Sequence, residues 1–343
     1  MQEIKSIEGI KASELSKAHF DPDVPTVFKG FCSEWKLTKH AKNSNNALIA
    51  YIKTFSNNTY VGVNVGEPSI KGNFGYNENM EALNFQRFEA PMNEVLDQIA
   101  NTAGNTNAPS IYIGSALVSD CLPDLEDTRK VNMPGKLNAP DCLTKIWIAN
   151  RSRAACHQDM NENLACCVAG RKRFVLFPPD QIKNLYPGPL EFTPAGPSIS
   201  LVDINNPDLT KFPRYEEALK QAQVAELEPG DAIYIPYLWW HDVTNTADLN
   251  VQINYWWNQE GTNTIAEKLA LYHSIVELKH LPPARKNALK AQLEYYAYDD
   301  STISSEHIPA TLAGVSNKLS IEQKDEYRKL LADQLMKLTE RKS

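Results

Sequence analysis

Between Lys145 and Trp256 the chain is built from short apolar runs that stop at turn residues. Clear examples lie at 145–149, 163–168 and 174–177. Glycine or proline follows these runs, and no long helical pattern alternates with them, so a parallel βαβ arrangement is not indicated. Many short strands joined by turns are typical of an antiparallel barrel or a double-sheet jelly roll. We therefore predict a mainly β fold for this part of the chain.

Further elements are predicted on both sides of these runs. Ser44 is a suitable cap for a helix, and a proline at position 91 is suited to the start of another. We predict helices at 13–18, 44–55, 91–99 and 215–223, and strands at 24–31, 60–65, 110–113, 232–235 and 250–256. We expect loops over 66–90, 115–142 and most of 180–225.

After Gly261 the apolar residues recur at helical spacing, as in Leu331, Leu335 and Leu338. The pattern predicts a tail of three helices. A few small helices rarely cover their own apolar faces, so we expect the tail to form a homodimer. The chain is accordingly divided into a barrel with N-terminal elements, 1–258, and a helical region, 259–343.

Charge and cysteine content indicate the class of protein. The net charge is −7, and no basic stripe accompanies it, so neither a nucleic acid nor an anionic membrane is an expected partner. No apolar run is long enough to span a membrane, and the start of the sequence lacks an apolar signal core, which favours a cytoplasmic location. The six cysteines show no C-x-x-C spacing, so we expect reduced, structural thiols.

One short motif, His157-x-Asp159, can bind a metal. Side chains two residues apart on a strand point to the same face, so this imidazole and this carboxylate converge on one point. A second copy, His19-x-Asp21, lies beside Pro22 with no strand after it, and we interpret it as a chance match.

A distant histidine completes the set. His241 follows the turn and strand at 229–236. Two histidines and one carboxylate leave coordination positions open, which suits a non-haem Fe(II) that binds a co-substrate and O2 together. We therefore predict that His157, Asp159 and His241 are metal ligands and form the catalytic centre.

Four stretches together resemble the cupin-like Jumonji C (JmjC) oxygenases. They are 157–159, 170–181, 185–187 and 229–241, and they occur in the family's order. Within the family the likeness is closest to the asparaginyl hydroxylase that inhibits hypoxia-inducible factor. The resemblance covers residues 20–258 and implies a double-stranded β-helix (cupin or jelly-roll) barrel with flanking helices. It also implies an Fe(II)- and 2-oxoglutarate-dependent dioxygenase that hydroxylates a protein side chain or a small molecule.

The resemblance also assigns residues to the co-substrate. Lys172 matches the lysine that pairs with the far carboxylate of 2-oxoglutarate, and a dicarboxylate chelating a metal at one end needs such a cation at the other. Arg171 and Arg173 are rival partners. The other residues implied in the cofactor pocket are Tyr112, Asn163 and Asn254, and Trp256 is implied near the iron. Trp147, Phe174, Tyr234 and Trp256 are expected to form an apolar lining.

Three departures from the family pattern limit this transfer. Ala154 stands where the family has a threonine that binds 2-oxoglutarate, and Ser152 is a candidate replacement. Gly114 stands where the asparaginyl hydroxylase has a glutamine that holds its substrate. No arginine occupies 194–203, where that enzyme has a substrate contact. Asparaginyl specificity is therefore not expected.

Other functions remain open at this point. One is a non-oxygenase cupin that binds metal or acts as an isomerase, which the two-histidine, one-aspartate set with Lys172 disfavours. Another is a tRNA-base hydroxylase, which the acidic charge disfavours. A third is a binding module that has lost turnover, although all three ligands are present. The substrate that is oxidised alongside O2 and 2-oxoglutarate has no recognisable signature in the sequence.

Overall fold

The structure is a computed structural model that describes residues 1–125, 142–258, 262–299, 302–309 and 311–340. It divides into two compact units, Met1–Gln259 and Glu260–Ser343. Within the described ranges, no helix combines the length and apolar character that crossing a membrane requires.

The first unit contains two β-sheets. Their strands are β1 (Gln2–Glu3), β2 (Lys5–Glu8), β3 (Thr26–Lys29), β4 (Tyr60–Gly66), β5 (Asn73–Phe74), β6 (Gln86–Pro91), β7 (Ser110–Leu117), β8 (Leu143–Ala149), β9 (Ser152–Gln158), β10 (Glu162–Ala169), β11 (Lys172–Phe177), β12 (Gln223–Leu227), β13 (Ala232–Ile235), β14 (Trp240–Asn245) and β15 (Asn250–Trp257). The six-stranded sheet has the order β1-β12-β11-β14-β9-β5, and the nine-stranded sheet the order β2-β3-β13-β10-β15-β8-β7-β4-β6. Two sandwiched sheets in a cupin-like arrangement confirm the predicted fold class.

Period-two alternation directs the side chains of these strands. In β11, Phe174 and Leu176 point between the sheets, whereas Val175 and Phe177 belong to a separate apolar cluster outside the six-stranded sheet. The interior cluster also takes Ala165 and Cys167 of β10 and Ile233 and Ile235 of β13. One part of the sandwich interior is thus filled with apolar side chains, which leaves the rest for a cavity.

Helices cover the outer faces of the sheets. They are α1 (Lys36–Asn43), α2 (Asn45–Phe55), α3 (Met92–Asn101), α4 (Val118–Cys121) and α5 (Tyr215–Gln221). Ser44 caps α2 by accepting a hydrogen bond from the backbone N–H of Ala47 at 3.1 Å, as predicted. Apolar residues of α2 and α3, such as Leu48 and Leu96, pack with Ile253 of β15 in the largest core cluster.

Several predicted elements differ in the structure. The helix predicted at 13–18 is wrong: two 3-10 turns, Ala12–Glu14 and Lys17–His19, replace it, because so short a segment does not repay the cost of nucleating a helix. The predicted loop 66–90 contains β5 and the edge strand β6, whose exposed, polar residues hide its strand character. Strand β12 begins within the predicted insertion. Residues 126–141 of the predicted loop 115–142 lie outside the described residues.

The second unit is helical. It contains α6 (Thr264–Leu278), α7 (Pro283–Leu293) and α8 (Ile321–Glu340), with a π-helical turn at Glu294–Tyr298. None of the described residues in these helices is buried. The structure contains one chain and does not test the dimer, which stays a prediction.

Candidate functional site: a metal centre in a polar cavity

The three predicted metal ligands meet between two neighbouring strands. His157 lies near the end of β9, Asp159 follows that strand, and His241 lies in β14 opposite His157. One ligand atom from each of the three lies within 4.8 Å of the others. Nε2 of His241 is 3.5 Å, and Nε2 of His157 is 4.0 Å, from Oδ2 of Asp159. The two nitrogens and one oxygen thus converge on one point.

A β-bulge in β9 aims His157 at this point. The pairing of β9 with β14 slips by one residue, since His241 lies opposite His157 while Val243 lies opposite Ala154. The extra residue shifts the alternation, so that Ala154 and His157 both face the cavity although three positions separate them. This bulge has no recognisable signal in the sequence.

Backbone carbonyls orient both imidazoles. Nδ1 of His157 is 2.7 Å from the carbonyl oxygen of Ala155, and Nδ1 of His241 is 3.0 Å from that of Trp239. A carbonyl only accepts hydrogen bonds, so each Nδ1 carries the proton and each Nε2 keeps a lone pair in the neutral ring. This tautomer presents both lone pairs to a metal.

The charges of the three groups also suit a cation. Burial, followed by the neighbouring His241, lowers the pKa of His157 to about 4. Burial opposes the charge of Asp159, but its two histidine neighbours outweigh burial and hold its pKa below the usual value. Burial lowers the pKa of His241, yet Asp159 outweighs this and the net pKa is raised. The carboxylate thus stays ionised, and a metal would bind the neutral form of both imidazoles.

Lys172 lies at the start of β11, in the same cavity. Its side chain is buried, and Nζ donates a hydrogen bond to Oδ1 of Asn245 at 2.5 Å. Nδ2 of Asn245 in turn donates to Oγ of Ser152 at 2.9 Å. Burial lowers the pKa of Lys172 to about 8. Among the described residues no carboxylate forms an ion pair with this ammonium, so it is a buried cation without a counter-ion there.

The other predicted co-substrate residues line the same cavity. The ring of Tyr112 lies 5.8 Å from that of Phe74, and burial, with a smaller effect of Asp159, raises its pKa, so its hydroxyl remains a donor. Nδ2 of Asn254 donates to Oδ1 of Asn163 at 2.8 Å. Gln252 extends this chain by donating from Nε2 to Oδ1 of Asn254 at 2.7 Å. The structure thus brings all seven predicted site residues to one cavity, although it does not test their roles.

The cavity has a volume of about 370 Å³, which is within the range of small-molecule sites. Its wall combines the metal-binding triad, a buried cation, amide side chains and aromatic rings. Lining residues include His157, Asp159, His241, Lys172, Asn245, Ser152, Tyr112, Asn163, Gln252, Asn254, Trp147, Phe174 and Trp256. Three of the four residues expected as apolar lining are among them. Tyr234 is not: its hydroxyl donates to Glu162 at 2.6 Å within the core.

The rival residues have other contacts. Nδ1 of His19 lies 2.9 Å from the backbone N–H of Ser16 and accepts its hydrogen bond, so the His19-x-Asp21 copy caps a turn. Arg171 pairs with Glu228 at 3.2 Å on the exposed surface. Arg173 lies 3.5 Å from Glu226. Lys172 alone of these three basic residues is buried in the cavity wall.

Sequence reasoning missed a buried ion pair behind the metal centre. Asp242 follows His241, is 0% exposed, and accepts hydrogen bonds from the guanidinium of Arg153. Nη1 of Arg153 also contacts Asp203 at 2.5 Å. This pairing depends on the register between β9 and β14, and the sequence gives no sign of that register.

Comparisons with known proteins agree with this geometry. Residues 12–263 match the family model described as a cupin-like domain. The chain is similar to lysine-specific demethylase JMJ31 of Arabidopsis thaliana, with 31% identity over 194 residues that cover 52% of this chain and 34% of that protein. It is also similar to human HSPB1-associated protein 1, with 35% identity over 113 residues, 32% of this chain and 22% of that protein.

A third relative is matched over more of the chain. Lysine-specific demethylase 8 of Danio rerio is 25% identical over 246 residues, which cover 69% of this chain and 54% of that protein. The matched segments thus span between 22% and 54% of the three relatives. None of these three names bears on the likeness to the asparaginyl hydroxylase, which stays a prediction. Because the family model matches well over half of its length, the chain belongs to the cupin-like domain family.

Proposed function

We propose that this protein is an Fe(II)- and 2-oxoglutarate-dependent oxygenase that hydroxylates a protein side chain or a small molecule. The observation that carries the proposal is the pairing of two features in one cavity. One is the His157, Asp159 and His241 cluster, and the other is the buried ammonium of Lys172, which has no carboxylate partner among the described residues. A metal bound by the cluster would satisfy its three ligand atoms, and a dicarboxylate bound to that metal would supply the counter-ion for Lys172.

The donor set fits Fe(II). Two neutral imidazoles and one carboxylate are the protein ligands of the facial triad used by non-haem iron oxygenases. The Nδ1–H groups are already engaged with backbone carbonyls, so each Nε2 is ready to bind. Asp159 would offset part of the charge of the ion.

Lys172 supports the choice of 2-oxoglutarate. A buried, unpaired ammonium is costly, and an anionic ligand at this position would remove that cost. The hydroxyl of Tyr112 would add a donor, and Asn245 would hold the ammonium in place. Asn163 and Asn254 would line the path between the cation and the metal. A non-oxygenase cupin has no evident use for such a lysine.

The roles of the residues follow from these contacts. The chemistry supplied at the site would be oxidative decarboxylation of 2-oxoglutarate, in which one oxygen atom of O2 enters succinate, CO2 leaves, and the other oxygen enters a C–H bond of the substrate. His157, Asp159 and His241 would hold the ion. Lys172 would fix the orientation of the co-substrate. Phe174 and Trp256 would limit access of water to the centre.

The substrate is a separate question. Two of the relatives are named lysine-specific demethylases, and hydroxylation of an N-methyl group is one route to demethylation. The match covers only part of those proteins, so their substrate does not transfer with the fold. Gly114 offers no side chain for holding a substrate amide, so asparaginyl specificity is not part of the proposal.

Succinate release tests the proposal. Purified protein is incubated with Fe(II), ascorbate and 2-oxoglutarate, and succinate is measured by NMR in wild type, His157→Ala and His19→Gln. We expect slow, iron-dependent turnover in wild type and in His19→Gln, which alters the other His-x-Asp copy, and none in His157→Ala. Binding of Mn(II) and 2-oxoglutarate without turnover would instead favour a binding module. Binding of neither would overturn the proposal.

A further inference from the structure

A second lysine faces the interior of the sandwich close to the metal centre. Lys145 lies in β8, and its Cα is paired with that of Asn254 in β15. Paired residues of neighbouring strands point to the same face, so Lys145 shares the inner face with Asn254. Its Nζ lies 3.9 Å from the centroid of the Trp256 ring and donates to Oγ of Ser115 at 2.8 Å.

Ser115 reaches the cavity because β7 is irregular at this point. The pairing of β7 with β8 shifts between Ile113 and Ala116, and Ser115 has a φ of 58°. A left-handed serine is a strained conformation, and bulges of this kind often redirect a side chain at a functional site. The Ser115 oxygen accepts a hydrogen bond from Lys145, so its own proton is available to an acceptor in the cavity.

Trp256 holds the ammonium of Lys145 in place. Its ring lies under the ammonium of Lys145 and orients it through a cation–π contact. Its Nε1–H is buried and has no hydrogen-bond partner in the described part of the chain. Trp256 and Ser115 both line the cavity. That nitrogen is closed off from the cavity, so Trp256 contributes the face of its ring to the site and not its N–H.

The ammonium of Lys145 has no carboxylate within ion-pair distance among the described residues, in contrast to Lys29, which pairs with Asp231 at 2.8 Å. Burial lowers the pKa of Lys145, and the charge of Asp159 raises it. Asp159 belongs to the metal-binding cluster, so a bound cation would take up that negative charge.

We propose that Lys145 and Ser115, with the Trp256 ring beneath the ammonium, bind a carboxylate of the substrate that is to be oxidised, beside the cavity that holds the metal centre. One ammonium charge with a neutral hydroxyl donor matches the single charge and two oxygens of a carboxylate. This inference rests on the proposed function and gives that site a substrate class. A methylated lysine is disfavoured as the substrate, because its cationic group would be repelled by the ammonium of Lys145.

Binding of matched probes tests this assignment. Calorimetry is performed on the full chain with saturating Mn(II) and 2-oxoglutarate. The small probes are N-acetylaspartate amide and N-acetylglutamate amide, with their Asn and Gln isosteres. A second arm uses capped pentapeptides with Asp, Asn or trimethyllysine between alanines. We expect acidic probes to bind wild type about ten-fold more tightly than neutral isosteres. Binding in the first arm alone would indicate a free acid as the substrate, and binding in the second arm would indicate an acidic peptide.

Variants separate recognition from a structural effect. We expect Lys145→Met to remove the preference for the acidic probe, and Lys145→Glu to reverse it in favour of N-acetyllysine amide. Lys183→Met, which alters an exposed lysine elsewhere in the first unit, should keep the wild-type preference.

Three outcomes would overturn the inference. One is that no acidic probe binds wild type in either arm, and a second is that Lys145→Met and wild type show equal preference. Tighter binding of the trimethyllysine peptide than of the Asp peptide would also overturn it. The titration with 2-oxoglutarate that precedes the probes gives an independent result in each of these cases. If 2-oxoglutarate binds, the proposed function is retained even though the assignment of the substrate site fails.

Discussion

The ammonium of Lys172 and the side-chain oxygen of Asn245 lie 2.5 Å apart in the wall of the cavity. Both residues are buried, and they face each other across β11 and β14. An ammonium has three protons, and this is the one hydrogen bond that its Nζ makes to a described side chain. Asn245 therefore orients the cation without neutralising it, which leaves room for an anionic ligand.

Removing this cation should weaken co-substrate binding. A hydrogen bond to a charged group contributes about 1.5–3 kcal/mol, so we expect Lys172→Met to raise the Kd for 2-oxoglutarate about 10- to 100-fold. The measurement is calorimetry with Mn(II) present. Arg171→Met serves as the control, since Arg171 is exposed and paired with Glu228. Equal effects of the two substitutions would contradict the assignment of Lys172.

Binding of 2-oxoglutarate should also depend on pH in a defined direction. Burial lowers the pKa of Lys172 to about 8, so the empty site loses its positive charge above that pH. A bound carboxylate favours the protonated form, and binding above this pH therefore includes proton uptake. We expect the Kd to rise about ten-fold from about pH 7 to about pH 9 in wild type. In Lys172→Arg the affinity, although lower, should stay flat over that range, since a guanidinium does not titrate there.

Asn245 and Ser152 should together replace the hydrogen bond to 2-oxoglutarate that Ala154 cannot make. Ser152 accepts from Asn245 at 2.9 Å, and both line the cavity. Loss of a neutral hydrogen bond costs about 0.5–1.5 kcal/mol. We therefore expect Ser152→Ala to raise the Kd for 2-oxoglutarate about 3- to 10-fold, and Asn245→Ala to raise it at least as much because the cation is released. An unchanged Kd in both variants would show that no such compensation exists.

The ion pair of Asp242 and Arg153 should be a main source of stability behind the centre. Asp242 is 0% exposed, so its removal would leave a buried guanidinium with Asp203 alone. Breaking a buried pair costs about 3–5 kcal/mol, and we expect Asp242→Ala to lower the free energy of unfolding by about that amount. Urea denaturation measures it. The exposed pair of Arg171 and Glu228 is the control, and Glu228→Ala should cost at most about 1 kcal/mol.

Features carried by residue type and alternation were readable from the sequence. Apolar runs indicated the central strands of both sheets, and His157, Asp159 and His241 were identified because few residue types can bind a metal. Features that depend on pairing between distant strands were not readable. The sequence does not specify that Asn245 lies opposite Ser152 and Lys172, nor that β9 contains a bulge, because both follow from the register of three strands.

Edge elements were missed for a related reason. Strand β6 is held by its pairing with β4, and most of its side chains are exposed, so no apolar alternation marks it. The 3-10 turns before β3 bury Ala12 and Leu15, and this spacing resembles a short helix in the sequence. In both cases tertiary contacts outweigh a weak local preference.

The exposed apolar stripe of α8 should mediate self-association. Leu331, Leu335 and Leu338 recur along this helix and are 61%, 42% and 60% exposed. Removing these half-exposed side chains from water contributes about 1 kcal/mol each, so a partner helix that buries them would be favoured. We expect the wild-type chain to be a dimer by light scattering, and the double variant Leu331→Asp with Leu335→Asp to be a monomer. Lys329→Asp changes an exposed charge on the opposite face of the same helix and should remain dimeric. A wild-type monomer at all accessible concentrations would show that the stripe has another use.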